Sequence, residues 1–389
     1  MNKKLIALFI AICIALALSS CKNNDDGGVT YVPVVMPKTV EKVVVILYPP
    51  NALGDASYYD NISYGVHSSA IKNKLYTSLD IVPSDWNEAE QYIETVLKLQ
   101  SADSDVLLLF ADAAYIPLLN KLEKSTLEKQ QILVMEAREI ENQAISTVFM
   151  PQYGMSYLAG IAAKSLSAYF ASQVKIRSLC FLANTENHIL YDWMAGYSEG
   201  FGESYGKVYD LSDITNAGTE ANEAVKTASF LILRLSSGDN KLGIDSVSGF
   251  NNSNTVYGAM SVLQSSDYPF HLYIPLCGSG IQGVLRYSRE AHDKNFLISG
   301  INSDMSFYGR YVPFSTVKHV DKVIEKCITQ WVNEKKIPHY QEFGLKDGYT
   351  ELVIDKNFSK AVDGLKTAVE AAKETAVTKE REYEDKQKA

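Results

Sequence analysis

The chain has 389 residues, which is enough for two domains, and its 46% hydrophobic and 21% charged residues are ordinary values for a globular protein. The formal net charge is −9. This charge excludes the strongly basic composition that is typical of nucleic-acid-binding proteins, and it disfavours attraction to anionic lipid. We therefore expect no nucleic-acid partner.

The N-terminal segment has the pattern of a secretory signal. Two lysines precede an apolar run over residues 5–18, which is too short for a membrane-spanning helix. We predict a signal peptide over residues 1–20 and a flexible tether over 21–41. The Leu-Ser-Ser-Cys sequence that ends at Cys21 resembles a bacterial lipobox, which implies acylation of Cys21, for example by palmitate. An ordinary signal peptide with a chance cysteine is the alternative.

Short apolar segments then alternate with helical patterns. The strand-like segments are 42–48, 79–83, 105–110, 131–135, 146–150, 176–182, 229–235, 243–247, 271–276 and 295–301. The helix-like segments are 58–76, 86–100, 113–124, 156–172, 187–204, 255–265, 281–292 and 316–334. Unbroken hydrophobicity predicts parallel strands that are covered on both faces. So many strands favour an α/β fold with two sheets.

The C-terminal region, 357–389, is a charged helical pattern. We expect a solvated helix that frays into a tail, with a partner-binding helix as the less favoured alternative. Residues 205–242 have the character of an insertion. The histidines and cysteines show no metal-ligand spacing, so we predict no metal site and no cofactor.

The sequence contains no catalytic motif of the serine hydrolase, phosphate-loop or dinucleotide-binding type. Cys277 and Ser279 follow an apolar strand and could be nucleophiles, but neither has a base that the sequence identifies. Gly278 and Gly280 suit a close approach of backbone to a ligand better. We therefore expect a binding protein, with a hydrolytic enzyme as an alternative.

Polar and aromatic residues follow several predicted strands. In an open α/β sheet, ligands bind beyond the carboxyl ends of the strands. The segments at these positions are 54–60, Asp112, Glu136, 250–252, 277–280 and 302–304. Together they predict a ligand site that several strands contribute to.

Several stretches resemble the basic membrane protein family of ABC-transporter substrate-binding lipoproteins, the purine-nucleoside receptors. They are Gly-Asp-Ala-Ser-Tyr-Tyr at 54–59, Tyr-Leu-Ala-Gly at 157–160, Ala-Gly-Tyr at 195–197 with Gly200, Gly-Ser-Gly-Ile-Gln-Gly at 278–283, Gly-Ile-Asn-Ser-Asp at 300–304 and Ser-Thr-Val-Lys-His-Val-Asp at 315–321. The resemblance spans most of residues 42–355. It implies a type I periplasmic-binding-protein fold, in which two doubly wound parallel-sheet lobes enclose a ligand. Lobe one would be 42–150 plus 303–345, and lobe two 152–301 plus 349–354.

The same resemblance implies the ligand contacts. Tyr58 and Phe250 would sandwich a planar ligand, with Asn302 and Lys318 near a sugar or a carboxylate. The further candidates are Asp55, Tyr59, Glu136, Trp193, Gly278, Ser279, Gly280 and Asp304. Asn302 replaces a family aspartate, and an amide donates as well as accepts hydrogen bonds. This departure favours a ligand other than a purine nucleoside.

The expected function is that of a lipid-anchored receptor that captures a nucleoside-like or sugar-like molecule for an ABC permease. It would be a monomer, held at a membrane that faces the periplasm or the cell surface. The alternative is a surface receptor of the same fold, which binds a glycan or a signal without an importer.

Overall fold

The computed structural model describes residues 42–50, 52–74, 77–97, 105–170, 175–182, 188–214, 218–235, 253–264, 269–291, 295–334 and 336–388. The expected signal peptide, the tether with Cys21, and the expected strand at 243–247 with Phe250 lie outside these residues.

The strands form two parallel sheets and one antiparallel ribbon. Their bounds are β1 Lys42–Leu47, β2 Thr77–Ile81, β3 Asp105–Phe110, β4 Gln131–Met135, β5 Ser146–Phe149, β6 Ser178–Leu182, β7 Val208–Asp210, β8 Phe230–Arg234, β9 Leu272–Leu276, β10 Leu297–Ile298, β11 Phe314–Lys318, β12 Tyr340–Glu342 and β13 Thr350–Ile354. The first sheet has the order β12-β5-β4-β3-β1-β2, the second has the order β10-β9-β6-β8-β7, and β11 pairs with β13.

Helices cover both faces of each sheet. They are α1 Tyr58–Lys72, α2 Trp86–Leu97, α3 Ile116–Leu119, α4 Lys124–Leu127, α5 Tyr153–Ser165, α6 His188–Phe201, α7 Leu211–Ile214, α8 Glu220–Thr227, α9 Ser253–Gln264, α10 Ile281–Glu290, α11 Val320–Glu334, α12 Lys356–Ala361 and α13 Leu365–Lys388. In the described ranges no helix is both long enough and apolar enough to cross a membrane.

Strand β1 shows why the apolar runs are unbroken. Val44 packs in a core with Ile324 of α11, whereas Val45 packs on the opposite face with Ile93 of α2. Both faces of the strand therefore exclude water, as a parallel sheet requires. Within the described residues, the expected strands are all present with bounds shifted by a few residues, and the two-sheet α/β prediction is confirmed.

The helical pattern at 316–334 predicts that a helix begins at residue 316, and that expectation is wrong. The five residues of β11, 314–318, pair antiparallel with β13, and the β-branched Thr316 and Val317 suit this pairing. Helix α11 begins only at Val320.

The expected boundary of lobe one also needs correction. The sequence resemblance predicts that all of 303–345 belongs to lobe one, but Met305 and Phe314 pack in the cores of the second sheet. Val320 packs in the core of the first sheet. The chain therefore crosses between the lobes at 150–152, 318–320 and 343–349, and Lys318 lies at one of these crossings.

The C-terminal helix α13 was expected to be solvated, but it packs against the body of the protein. Ala376, Glu380 and Glu384 on this helix are buried. Glu380 accepts hydrogen bonds from the amide nitrogens of Gly154 (2.8 Å) and Leu345 (2.9 Å), which satisfy its carboxylate without water. One face of α13 is therefore buried although the sequence of the helix is highly charged, because hydrogen bonds from backbone amides satisfy the buried Glu380 carboxylate.

Helices α5 and α6 approach each other closely through glycines. A Cβ atom at Gly200 would overlap the carbonyl oxygen of Tyr157, and one at Gly160 would overlap that of Tyr197.

We expect Gly200→Ala to lower the free energy of unfolding by about 2 kcal/mol or more, because the backbones of the two helices must move apart. The matched control is Gly258→Ala in α9, where a Cβ meets nothing within 4 Å. Denaturation with urea should show a neutral or stabilising effect there, since alanine favours the helix by about 0.5–1 kcal/mol. Equal effects at the two glycines would contradict the close packing.

Burial raises the pKa of Glu380 to about 7, against 4.5 for an ordinary glutamate. A carboxyl group whose pKa is raised by folding stabilises the protein most below its unfolded pKa, and this contribution is lost as the pH rises through the folded pKa. We expect the free energy of unfolding, relative to that of Glu380→Gln, to fall by as much as about 3 kcal/mol between about pH 4.5 and pH 7.5. Urea denaturation across this range measures the difference, and Glu382→Gln at an exposed position is the control. A difference that does not vary with pH would contradict the burial of this carboxylate.

Candidate functional site

A cleft lies at the carboxyl ends of the two parallel sheets, beside the crossings at 150–152 and 318–320. The space open to the centre of a water molecule is about 60 Å³. One buried water needs only about 10–15 Å³ by this measure, so the cleft has room for a small molecule. The Ser57 hydroxyl donates to the Ile301 carbonyl (2.7 Å) and joins the two walls.

The structure brings eight of the predicted residues together in the walls of the cleft. They are Asp55, Tyr58, Tyr59, Glu136, Trp193, Gly278, Asn302 and Lys318. Ser279, Gly280 and Asp304 do not line the cleft, and Asp304 is exposed. Instead, Asp304 accepts a hydrogen bond from the Ser306 amide (2.9 Å) in the loop that leaves the cleft. Phe250 lies outside the described residues, so its stacking role stays a prediction.

Three more wall residues, Ser57, Asp112 and Cys277, lie in the strand-end segments that the sequence placed at the ligand site, although no individual ligand contact was predicted for them. Sequence reasoning did not select the remaining wall residues, which are Gln152, Ile189, Leu190, Pro275, Leu276, Ile281, Ile301 and Met305. The apolar residues carry no signal in the sequence, because core residues have the same composition.

A buried ion pair is the main electrostatic feature of the cleft. The Lys318 ammonium donates to the Glu136 carboxylate, and both side chains are almost fully buried, with exposed fractions of 3% and 4%. Burial lowers the pKa of Lys318, and the Glu136 carboxylate opposes this effect. The ammonium also lies 5.2 Å from the ring centre of Tyr58, so it covers one face of that ring.

The backbone is unusual at two wall residues. Glu136 has φ +57° and Asn302 has φ +60°, in the left-handed region that residues other than glycine seldom adopt. Asparagine tolerates this conformation better than most residues, as aspartate does. The Asn302 carbonyl accepts a hydrogen bond from the Lys318 amide (3.1 Å), so the strained segment is tied to the ion pair.

Two further carboxylates in the wall are satisfied by local donors. Asp112 accepts from the Tyr59 hydroxyl (2.5 Å) and the Ala114 amide (2.7 Å). Asp55 accepts from backbone amides at the start of α1, including that of Ser57 (2.8 Å). Burial raises the pKa of each aspartate to about 6. Both carboxylates are therefore mainly ionised at neutral pH.

Some polar atoms of the wall lack hydrogen bonds. Among the described residues, the indole nitrogen of Trp193 is buried and has no hydrogen-bond partner. The Tyr58 hydroxyl and the Glu136 Oε2 atom lie near each other, but neither makes a hydrogen bond of standard geometry. An unpaired buried polar group costs about 1–3 kcal/mol, which a ligand with suitable groups can recover.

The structure offers little support for covalent chemistry in this cleft. Cys277 is fully buried, and burial raises the pKa of its thiol well above the usual range, so the reactive thiolate is suppressed. In the described part of the chain, no group of three histidine, cysteine, aspartate or glutamate side chains is arranged to hold a metal ion.

No known family profile matches the chain, and no curated protein matches its sequence. Solved structures do match. A solute-binding protein of an ABC transporter system from Aeropyrum pernix K1 has a TM-score of 0.60 at 16% identity, over 87% of this chain and 86% of that chain. A transcriptional activator of the comK gene from Bacillus halodurans has a TM-score of 0.54 at 13% identity, over 86% and 98%. An ABC transporter periplasmic solute-binding protein from Actinobacillus succinogenes 130z with bound D-allose has a TM-score of 0.52 at 12% identity, over 82% and 99%.

These likenesses show that the chain has the type I periplasmic-binding-protein fold, and they confirm the expected fold class. Identities of this size show the fold alone, so membership of the basic membrane protein family stays a prediction. Since the fold serves both solute-binding proteins and a transcriptional activator, the function has to be argued from the cleft.

Removing one partner of the buried ion pair gives a direct test of the cleft geometry. Lys318→Met leaves the Glu136 carboxylate buried without a cation, and we expect it to lower the free energy of unfolding by about 3–5 kcal/mol. The double variant Lys318→Met/Glu136→Gln should recover most of this loss, because no charge stays buried.

The control is Lys124→Met. In the native protein the Lys124 side chain is 70% exposed and its ammonium pairs with Glu128 at 3.6 Å. Its effect should stay within about 0.5 kcal/mol by urea denaturation. A loss at Lys318 as small as that at Lys124 would contradict the buried pair.

Proposed function

We propose that this protein is an extracytoplasmic solute-binding protein that captures one small, neutral, polyhydroxylated molecule between its two lobes. The observation that carries the proposal is which polar groups of the cleft already have a partner within the protein and which do not. Its ammonium group is already paired with Glu136, whereas the Trp193 indole nitrogen has no partner among the described residues. A ligand hydroxyl both donates and accepts hydrogen bonds, so it can pair with carboxylates as well as with an indole N–H.

The charge of the cleft disfavours an anionic ligand. Among the described residues of the wall, the carboxylates of Asp55, Asp112 and Glu136 lie beside one ammonium, that of Lys318. A further negative charge would be brought out of water close to these groups, which costs free energy. A neutral sugar avoids this cost and keeps its hydroxyl groups available for hydrogen bonds.

A nucleoside-like ligand is the second possibility. Its support is the sequence resemblance, which places Tyr58 in a base-stacking position. The Tyr58 ring is only 4% exposed, with Lys318 over one face and the Tyr59 ring edge-on at 5.1 Å. This leaves little free ring surface for a base, and we therefore favour a sugar over a nucleoside.

Delivery to an ABC permease and membrane attachment through acylated Cys21 complete the proposal. The first is supported by the transporter-associated proteins of the same fold, and the second by the lipobox-like sequence alone. Binding without turnover is part of this proposal, and the Cys277 thiol, whose pKa is raised by burial, is a poor nucleophile. A receptor of this fold without an importer would bind in the same way, so the presence or absence of permease and ATPase genes beside the gene of this protein distinguishes the two functions.

Titration calorimetry with D-allose, D-ribose, D-galacturonate and inosine tests the ligand class. We expect one or both neutral sugars to bind, and the sugar acid not to bind. Tight binding of inosine with no sugar binding would favour the nucleoside alternative, and binding of D-galacturonate alone would contradict the charge argument.

Trp193→Phe tests the role of the unpaired indole nitrogen. We expect it to weaken the binding of the best neutral sugar about five-fold, which corresponds to one hydrogen bond of about 1 kcal/mol. Trp331→Phe is the matched control, because it makes the same change of volume at a buried tryptophan outside the cleft. Equal affinities in the two variants would show that the indole nitrogen does not contact the ligand.

A further inference from the structure

The C-terminal helix α13 is joined to both lobes through one partly buried cation, the guanidinium of Arg138. Arg138 lies in the loop after β4 in lobe one. Its guanidinium donates to Asp192 on α6 of lobe two (2.7 Å) and to Glu384 on α13 (2.9–3.1 Å). Asp192 and Glu384 are exposed by only 2% and 1%. A buried charge network of this kind is costly to break, because each ion would lose its partner away from water.

Further contacts connect α13 to each lobe separately. On the side of lobe two, the Tyr383 hydroxyl donates to Asp192 (2.9 Å), and its ring stacks on Tyr153 at 4.4 Å. On the side of lobe one, Lys388 pairs with Glu342 of β12 at 2.9 Å. The helix therefore spans the junction between the lobes.

Glu380 adds contacts at two of the three crossings. Its carboxylate accepts from the amide of Gly154, directly after the crossing at 150–152, and from that of Leu345 in the crossing at 343–349. The helix thus holds the segments that any relative movement of the lobes must bend.

The network also adjoins the cleft without lining it. Arg138 follows the strained Glu136 by two residues, and Asp192 directly precedes Trp193. No residue of α13 is among those that line the cleft. Any effect of the helix on ligand binding therefore acts through the positions of the lobes and of these wall residues.

We propose that α13 is an interlobe strap, which through Glu384 and Arg138 holds the two lobes in the arrangement that joins Ser57 to Ile301, and which needs no ligand to do so. Glu384 is a positioning residue, since it acts through Arg138. The strap goes beyond the proposed function, because it requires neither a particular ligand nor an importer.

Several charged and titratable groups face Glu384 and its partners. They are Arg138, Asp192, Glu342, Tyr340, Tyr383 and Glu380. Arg138 is the cation among them, and it is shared by two carboxylates. Glu384→Ala therefore removes one of the two carboxylates that hold Arg138, and it leaves the Arg138–Asp192, Lys388–Glu342 and Lys318–Glu136 ion pairs in place.

Small-angle X-ray scattering of the full chain without ligand tests the strap. For a compact chain of this length, with a radius of gyration of roughly 20 Å, we expect Glu384→Ala to increase that radius by about 1 Å through opening of the lobes. Glu382→Gln, at an exposed position on the same helix, should leave the radius unchanged. All variants carry the same N-terminal segment, so a difference between them reports the lobes.

Circular dichroism establishes that each variant is folded before its scattering is compared. If Glu384→Ala does not fold, the double variant Tyr383→Phe/Glu384→Gln replaces it, because it keeps the side-chain volumes and removes the charge and the hydroxyl. An unchanged radius of gyration in the folded variant would overturn the strap.

Ligand affinity gives a second measurement that separates the strap from the proposed function. If the variant is open nine-tenths of the time, its affinity for D-allose or D-ribose should fall about ten-fold. Failure of the native chain to bind either sugar would count against the proposed function, while the scattering difference would still decide the strap.

Discussion

The ion pair of Lys318 and Glu136 is the interaction on which the site depends. Lys318 ends β11 at the point where the chain crosses from lobe two to lobe one, and Glu136 follows β4 of lobe one. Removing both charges from water is expensive, and their attraction offsets this cost only in good geometry. The pair therefore fixes one crossing against the first sheet, and it holds the adjoining left-handed backbone at Glu136 and Asn302 in place.

Buried charge is concentrated where the lobes meet. The cores beside the sheets are apolar, as in β1, whereas the junction contains the Lys318 pair, the Arg138 network and the Glu380 carboxylate. Apolar interiors favour each lobe as a rigid unit, because close-packed cores resist deformation. The polar groups at the junction can replace their hydrogen bonds to one another with hydrogen bonds to water or to a ligand. This division of the molecule suits a protein that encloses a small solute.

Most of the fold could be predicted from the sequence, because strands that are buried on both faces leave unbroken apolar runs. The segment 314–318 could not, since a partner strand far along the chain stabilises it. The same limit applies to α13, whose glutamates have the composition of a solvated helix. Glu380 and Glu384 are buried only because Gly154, Leu345 and Arg138 supply donors. In the cleft, the wall residues that directly follow strands could be predicted from the sequence. The apolar wall residues, and the lack of a hydrogen-bond partner for the Trp193 indole nitrogen among the described residues, depend on the tertiary structure.

The central claim is that the cleft retains a small neutral molecule with several hydroxyl groups. It is tested most directly by mass spectrometry of the small molecules released when the protein, purified from its native cells, is denatured. We expect one neutral, polyhydroxylated compound in a near-stoichiometric amount, and we expect it to be chemically unchanged after it is added back to native protein and recovered. Release of an anionic compound, or conversion of the added compound into a product, would contradict it.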